Sequence, residues 1–360
     1  MPAGPLPEAD LAEVMHHARE AFLHMWRANL FITGGTGFFG RWLLESLLYA
    51  NRELRLHLQA TVLTRDAEAF RSKAPHIAND PDITLLEGDV RSFAFPRGAF
   101  THILHAAADS TGKQTAQPES ELAETIVEGT RRVLEFADRT GAGRLLFLST
   151  GAVYGRSTPL LQTPESYLET QPAPVLPNSY EEAKRKAETL CLDAASPEFQ
   201  VTIARCFAFV GPHLPLDAHF AIGNFLGAAI RDEAIQIHGD GTPRRSWLYM
   251  SDLAAWLWTL AAAGKSGRAY NVGSDEAYTL AEAARLTATT LRPDGHGGSS
   301  LPIRIEGQPN PGIPANNYVP DITRARQDLD LHVTVPLAEA LRRTARWHEY
   351  DGHDAPQHMP

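Results

Sequence analysis

Three features are scarce in this 360-residue chain, and each scarcity closes off a class of protein. There are only two cysteines, Cys191 and Cys206, and they form no CxxC pair. That leaves no disulfide framework and no cysteine-based zinc site, and it suits a reducing compartment. Positive charge is in deficit: 33 Lys and Arg against 43 Asp and Glu give a net charge of −10. General nucleic-acid binding needs a basic face and is not expected. Long apolar runs are missing too. The longest, Leu253 to Ala263, is about half of what a membrane span requires. The N-terminal MPAGPLPEAD lacks the basic segment and apolar run of a signal peptide. The sequence therefore reads as cytoplasmic and free of the membrane.

What is present is ordinary for a folded protein. Apolar residues make up 43% and charged residues 21%, which excludes a largely disordered chain. The length suggests about two domains, each with enough chain to bury a core without staples. Residues 8 to 27 carry Leu11, Val14, Met15, Ala18, Phe22 and Met25 on one helical stripe, and this predicts a helix docked on the core. His16 and His17 are neighbours on that helix. They cannot face one point, so they read as surface residues rather than metal ligands.

From Asn29 the pattern alternates. A strand, NLFIT, leads through a glycine-rich turn into a helix. Strands follow at 57–63, ITLLEGDV and THILHAAA, with a helix near 66–73. Next come a helix from about Glu119 to Thr140, the strand RLLFLST, a helix starting near Ser179 and the strand VTIARCFAFV. Such alternation is the signature of a doubly wound parallel α/β sheet of Rossmann type. The proline-rich stretch from Thr158 to Pro177 reads as a loop. After Gly211-Pro212 the alternation fades into short strands (AIQIHG, RAYNVG) and helices at 252–263 and 279–291. The expected organisation is a helical extension (1–27), a dinucleotide-binding domain (28–208), a smaller α/β substrate domain partly interleaved with it (209–350), and a disordered tail (351–360). PDGHGGSS (293–300) reads as a mobile linker.

The turn after the first strand contains Gly34, Gly37 and Gly40, followed or flanked by Phe38 and Phe39. Glycines at this spacing, between a strand and a helix, let the backbone approach a pyrophosphate. The helix start then offers free N–H groups and a positive dipole end. At the end of the second strand, Thr64 stands where an acid usually meets the adenosine ribose, and Arg65 follows. An arginine there suits a 2′-phosphate, so the cofactor is NAD(P), leaning toward NADP. The alternative is an exposed Arg65 with Asp66 reaching the ribose. Asp89 and Val90 are placed to meet the adenine. Ala106 and Ala107 are small enough for a cofactor to pass close by.

Tyr180 and Lys184 are four apart in SYEEAK, so they share one helix face. An ammonium ~4 Å from a phenol, at an effective dielectric of about 20, contributes roughly 4 kcal/mol toward the phenolate. That is about three pKa units, enough to bring a tyrosine near neutrality as a general base. Thr150, at the end of RLLFLST, is placed to bind the same substrate oxygen. No residue cluster suggests a metal.

At these residues the chain resembles the extended short-chain dehydrogenase/reductases, and among them the NAD-dependent epimerase/dehydratase group acting on nucleotide sugars. The resemblance runs from about Leu30 to Trp347 through TGGTGFFG, GDV, HAAA, LSTGAVYG, SYEEAK, RCFAFVGP, GDGTPRRSWLYMSDLA and YNVGS. It implies a catalytic triad of Thr150, Tyr180 and Lys184, with Lys184 also on the nicotinamide ribose. It implies a nucleotide-diphosphate sugar as substrate, with Arg245 and Asn224 near the diphosphate and Arg244 either a second contact or solvated. It also implies a homodimer built on the helices near 119–140 and 179–192.

The departures from the family pattern narrow the reaction. Dehydratases of the group carry an Asp-Glu pair after the threonine, and decarboxylating relatives keep the glutamate. Here those positions are Gly151 and Ala152, which move no protons. Ala208 and Ile126 each replace an asparagine usual in the family. The expected activity is a nucleotide-sugar epimerase working by transient hydride abstraction at a carbinol carbon, C4, with Tyr180 as base. The alternatives are an NADPH-dependent keto-sugar reductase, a dehydratase that recruits Glu165 or Glu169 from the proline-rich loop, and a non-catalytic dinucleotide-binding regulator.

Overall fold

The computed structural model describes residues 4–107, 119–155, 158–170, 179–218, 220–292, 301–310 and 316–350. Ala108, most of the second half of the proline-rich stretch, the segment 293–300 and the tail from 351 lie outside this set.

Seven parallel strands form the central sheet. In chain order they are β1 (Asn29–Thr33), β2 (Gln59–Thr64), β3 (Ile83–Glu87), β4 (His102–His105), β5 (Arg144–Thr150), β6 (Gln200–Cys206) and an edge strand, Arg268–Val272. Across the sheet the order is β3, β2, β1, β4, β5, β6 and the edge strand. β4 lies in register beside β1, Thr33 opposite His105. The chain thus winds outward from β1 to β3, returns, and continues from β4 in the other direction. A doubly wound sheet opens a crevice at the carboxyl ends of the strands where this reversal occurs.

The strands are apolar because both faces are covered. Leu30, Phe31 and Ile32 of β1 and Ile103 and Leu104 of β4 are fully buried. The helix Phe38–Leu54 and the helix Met250–Ala263 cover one face, and Glu119–Thr140 and Tyr180–Asp193 cover the other. The edge strand Arg268–Val272 comes from the C-terminal region and pairs with β6. The remaining strands make small sheets, of which one matters for the site: Tyr278–Thr279, Arg244–Arg245 and Asn317–Tyr318 lie side by side.

Two expectations need correction. The N-terminal helix is two helices, Glu8–His17 and Arg19–His24, because Ala18 leaves the helical region (φ −102°, ψ 15°). Leu11, Val14, Ala18, Phe22 and Met25 are still buried, with Phe22 against Trp258. The first part of the proline-rich stretch is not a free loop: it makes bridges from Thr158 to Asn317 and from Thr163 to Pro320.

Candidate active site

The glycine turn rests directly on the end of β4. Gly34 has φ +73°, and a Cβ there would stand 2.6 Å from the Ala106 carbonyl oxygen and 2.9 Å from the Ala107 nitrogen. Gly40 packs as tightly from the helix side: a Cβ would lie 2.3 Å from Gly35 backbone atoms. Only glycine serves at either place. The helix then begins at Phe38, so its first N–H groups, those of Phe38 and Phe39 included, have no partner within the helix. Gly37 precedes it in an extended conformation. This cradle fits a dinucleotide pyrophosphate.

A chain of hydroxyls and one histidine, none of them evident from the sequence, pins the two strands on either side of the crevice. Thr33 Oγ1 accepts the Ala107 N–H (3.0 Å) and meets His105 Nδ1 at 2.7 Å. His105 Nε2 meets Thr130 Oγ1 at 3.1 Å, and Thr130 donates to the Ile126 carbonyl at 2.7 Å. The directions are forced along the chain. Thr33 donates to Nδ1, so the ring carries its proton on Nε2 and stays neutral. Burial first, then Lys184, push its pKa down to about 3. Ile126, where the family has asparagine, is buried in the helix Glu119–Thr140.

At the end of β2, Thr64 is buried and its Oγ1 accepts the Asp66 N–H (3.3 Å). Arg65 is exposed at the strand end. Asp66 accepts the Ala69 N–H (2.8 Å) and so caps the helix Ala67–Lys73. This cap uses Oδ1 alone, so the Asp66 alternative stays open. Asp89 is gripped by Arg91 through Nε (2.9 Å) and Nη2 (2.8 Å). That pairing holds the Asp89 carboxyl below its ordinary range, with Arg65 adding to the effect. Val90 packs on Gly129, where a Cβ would stand 2.8 Å from Val90 Cγ1.

Thr150 ends β5, and its Oγ1 accepts the Ala152 N–H (3.2 Å) at the start of the 3₁₀ turn Gly151–Tyr154. Tyr180 opens the helix Tyr180–Asp193, capped by Ser179, which accepts the Glu182 N–H. Thr150 is near enough to the Tyr180 hydroxyl to favour its ionised form. Lys184 is one turn on and buried. The triad is thus gathered, but not as the helix spacing alone predicts. The Lys184 ammonium, 6.0 Å from the centre of the Tyr180 ring, donates to the Leu148 carbonyl at 2.8 Å. A buried ammonium takes the nearest strong dipole. Burial brings its pKa down to about 8. Burial also pushes the Tyr180 phenol well above its ordinary value, opposed by the Thr150 hydrogen bond. The expected lysine-tuned phenol is therefore not the arrangement seen here.

Three further residues complete the centre. Tyr318 brings its hydroxyl 3.4 Å from Thr150 Oγ1. Phe207 packs on the Tyr318 ring at 4.8 Å. Arg245 stands 5.8 Å from that ring's centre, and its Nη1 donates to the carbonyls of Arg244 (2.8 Å) and Asn316 (2.9 Å). Asn224 is exposed in the first turn of the helix Ala221–Ile230. Among the described contacts nothing joins it to Arg245. Glu165 is committed elsewhere: it accepts the Asn271 N–H at 2.9 Å and faces Arg324 at 3.7 Å. It braces a buried network with Arg205, Glu188 and Tyr154, so it is not a spare acid. The side chain of Glu169 is outside the described set. Among the described residues no group of His, Cys, Asp and Glu could hold a metal, and no helix is long and apolar enough to cross a membrane.

Residues 30–273 match the family described as the NAD dependent epimerase/dehydratase family. The chain belongs to that family. It is 30% identical over 315 residues to UDP-glucuronic acid decarboxylase 4 of Arabidopsis thaliana, covering 86% of this chain and 66% of that one. It is 28% identical to UDP-glucuronic acid decarboxylase 6 of the same plant, covering 87% and 86%. In structure it resembles the dTDP-glucose 4,6-dehydratase DesIV of Streptomyces venezuelae, solved with NAD bound (TM-score 0.73, 25% identity, 89% of this chain and 97% of that one). A UDP-glucose 4-epimerase of Thermotoga maritima shares the fold (TM-score 0.72, 21% identity, 89% and 98%).

Proposed function

We propose that the protein is an NAD(P)-dependent nucleotide-sugar epimerase. The observation that carries this reading is the pairing of an assembled Thr150–Tyr180–Lys184 centre with the loss of proton-transferring side chains at Gly151 and Ala152. Bound in the glycine cradle, the nicotinamide cofactor supplies a hydride acceptor, and later a donor, at the sugar carbon bearing the reacting hydroxyl. Thr150 holds that hydroxyl. Tyr180 takes its proton and gives it back, which is the work of a general base and acid at one oxygen. Lys184, held on the Leu148 carbonyl, would contact the nicotinamide ribose rather than tune the phenol. Arg245 has Nη1 engaged and its other edge available for the substrate diphosphate, a geometry suited to a bidentate anion contact. Residues 209–350 supply most of that pocket. We also infer a homodimer through the helices Glu119–Thr140 and Tyr180–Asp193, which light scattering would test.

Epimerisation at C4 requires nothing beyond these groups. Dehydration and decarboxylation need further acid or base groups, and Glu165 is already engaged. The decarboxylase relatives therefore support the substrate class, a nucleotide-diphosphate sugar, more than the reaction. One observation favours a second reading, an NADPH-dependent keto-sugar reductase: Arg65 is exposed where a 2′-phosphate would sit. Incubation with nucleotide sugars separates the two, because an epimerase gives an isomer without added reductant. Tyr180→Phe is expected to reduce turnover by about 10²–10⁴-fold. Turnover near the parent rate in that variant would refute the mechanism.

A further inference from the structure

Tyr318 lies on a built support. Its strand pairs with Arg244–Arg245 on one side and is bridged to Thr158 and Thr163 on the other, through Asn317 and Pro320. Its ring is fixed by Phe207 and the Arg245 guanidinium. The hydroxyl is thereby aimed at Thr150.

Hydrogen-bond capacity then bears on the directions. A threonine hydroxyl has one proton and two acceptor sites. One acceptor site of Thr150 takes the Ala152 N–H. The Tyr318 hydroxyl, the neighbour within reach of that oxygen, can fill the other. We propose that Tyr318 is a positioning residue: its hydroxyl donates to Thr150 Oγ1, fills the second acceptor site, and so commits the Thr150 proton to the Tyr180 oxygen or to the substrate oxygen beside it. The 3.4 Å separation is long for such a bond, as is common before a site closes on its substrate. The inference rests on Thr150 and Tyr180 being the reacting pair.

The relay favours the Tyr180 phenolate, because a hydrogen bond to a charged form stabilises it. Among the described residues the titratable groups near Tyr180 and Lys184 are Cys206, Glu181, Tyr318 and Glu119, with Glu188, Cys191 and His105 beside Lys184. The test needs no substrate. Fluorotyrosine is placed at position 180 of the full chain and its ionisation is followed by fluorine NMR. The trifluorinated ring used is several units more acidic than tyrosine, so it titrates below the Tyr318 hydroxyl, which burial pushes up to about 12. Tyr318→Phe keeps the ring and its packing, and thermal melting checks that the fold survives.

The expected result is an upward shift of the midpoint by about one pH unit in Tyr318→Phe. A similar shift is expected in Thr150→Val, with no further shift in the double variant. A midpoint that stays or falls in Tyr318→Phe would overturn the proposal. So would a full extra shift in the Thr150→Val background. Failure to turn over any nucleotide sugar would refute the epimerase reading and leave this result intact.

Discussion

The Phe207 ring occupies the space that a side chain at Gly151 would need. A Cβ on Gly151 would lie 2.8 Å from three of its ring carbons. The position where the resemblance would put a dehydratase's acid is thus closed as well as empty. Gly151→Asp is expected to destabilise the protein by about 1–3 kcal/mol through overpacking, and to produce no dehydratase. Thermal melting and product analysis check both halves. Dehydration by the folded variant would show that the space is open.

Lys184 gives a pH-dependent stability with a definite sign. Its folded pKa, about 8, lies below the ordinary 10.5. The unfolded chain therefore holds more protons between these values, and stability rises with pH across that window. Below about pH 8 the cost of the buried ammonium is fully present, on the order of 3 kcal/mol. Lys184→Met should flatten this rise. Melting curves of both proteins from pH 7 to about 11 would reveal it, and identical slopes would contradict the burial account.

Arg65 carries the cofactor prediction. Arg65→Ala is expected to weaken NADP binding about tenfold, the loss of one charge-assisted contact, and to leave NAD almost unchanged. Calorimetry with each dinucleotide measures it. Equal effects on both would remove the leaning toward NADP.

The N-terminal helices are clamped to the last helix, Leu337–Tyr350. Buried Asp10 accepts from the Tyr249 hydroxyl (2.6 Å) and from Arg343 (3.0 Å), and Arg343 also holds Glu13 (2.7 Å). Arg343→Met would leave the Asp10 charge underpaired. The expected loss is about 2 kcal/mol, less than for a fully buried pair, because a quarter of the Arg343 side chain is in water. Denaturant unfolding checks it.

Much of this was legible in the sequence, for local reasons. Most strands read correctly because buried parallel strands are largely apolar, and the helix Glu119–Thr140 carries its own periodicity; VTIARCFAFV is two strands rather than one, since Phe209–Val210 leaves the main sheet to pair with Leu248–Tyr249. The glycine turn declares itself by spacing. Tyr318 was not legible: it sits in a two-residue strand, in a stretch with no period, and its role comes from Thr150, far away in the chain. His105 was hidden because its partners come from β1 and from the helix after β4. The lysine–tyrosine spacing correctly put both residues on one face. It could not reveal that Leu148, on the strand beneath, would claim the ammonium.

The central claim is reversible hydride removal and return at one sugar carbon, with no net oxidation and no lost group. The direct measurement is mass spectrometry and NMR of the products from nucleotide sugars deuterated at C4, with no added reductant. The account predicts an epimer of unchanged mass that keeps its deuterium. Loss of water or carbon dioxide, or conversion only when NADPH is supplied, would contradict it.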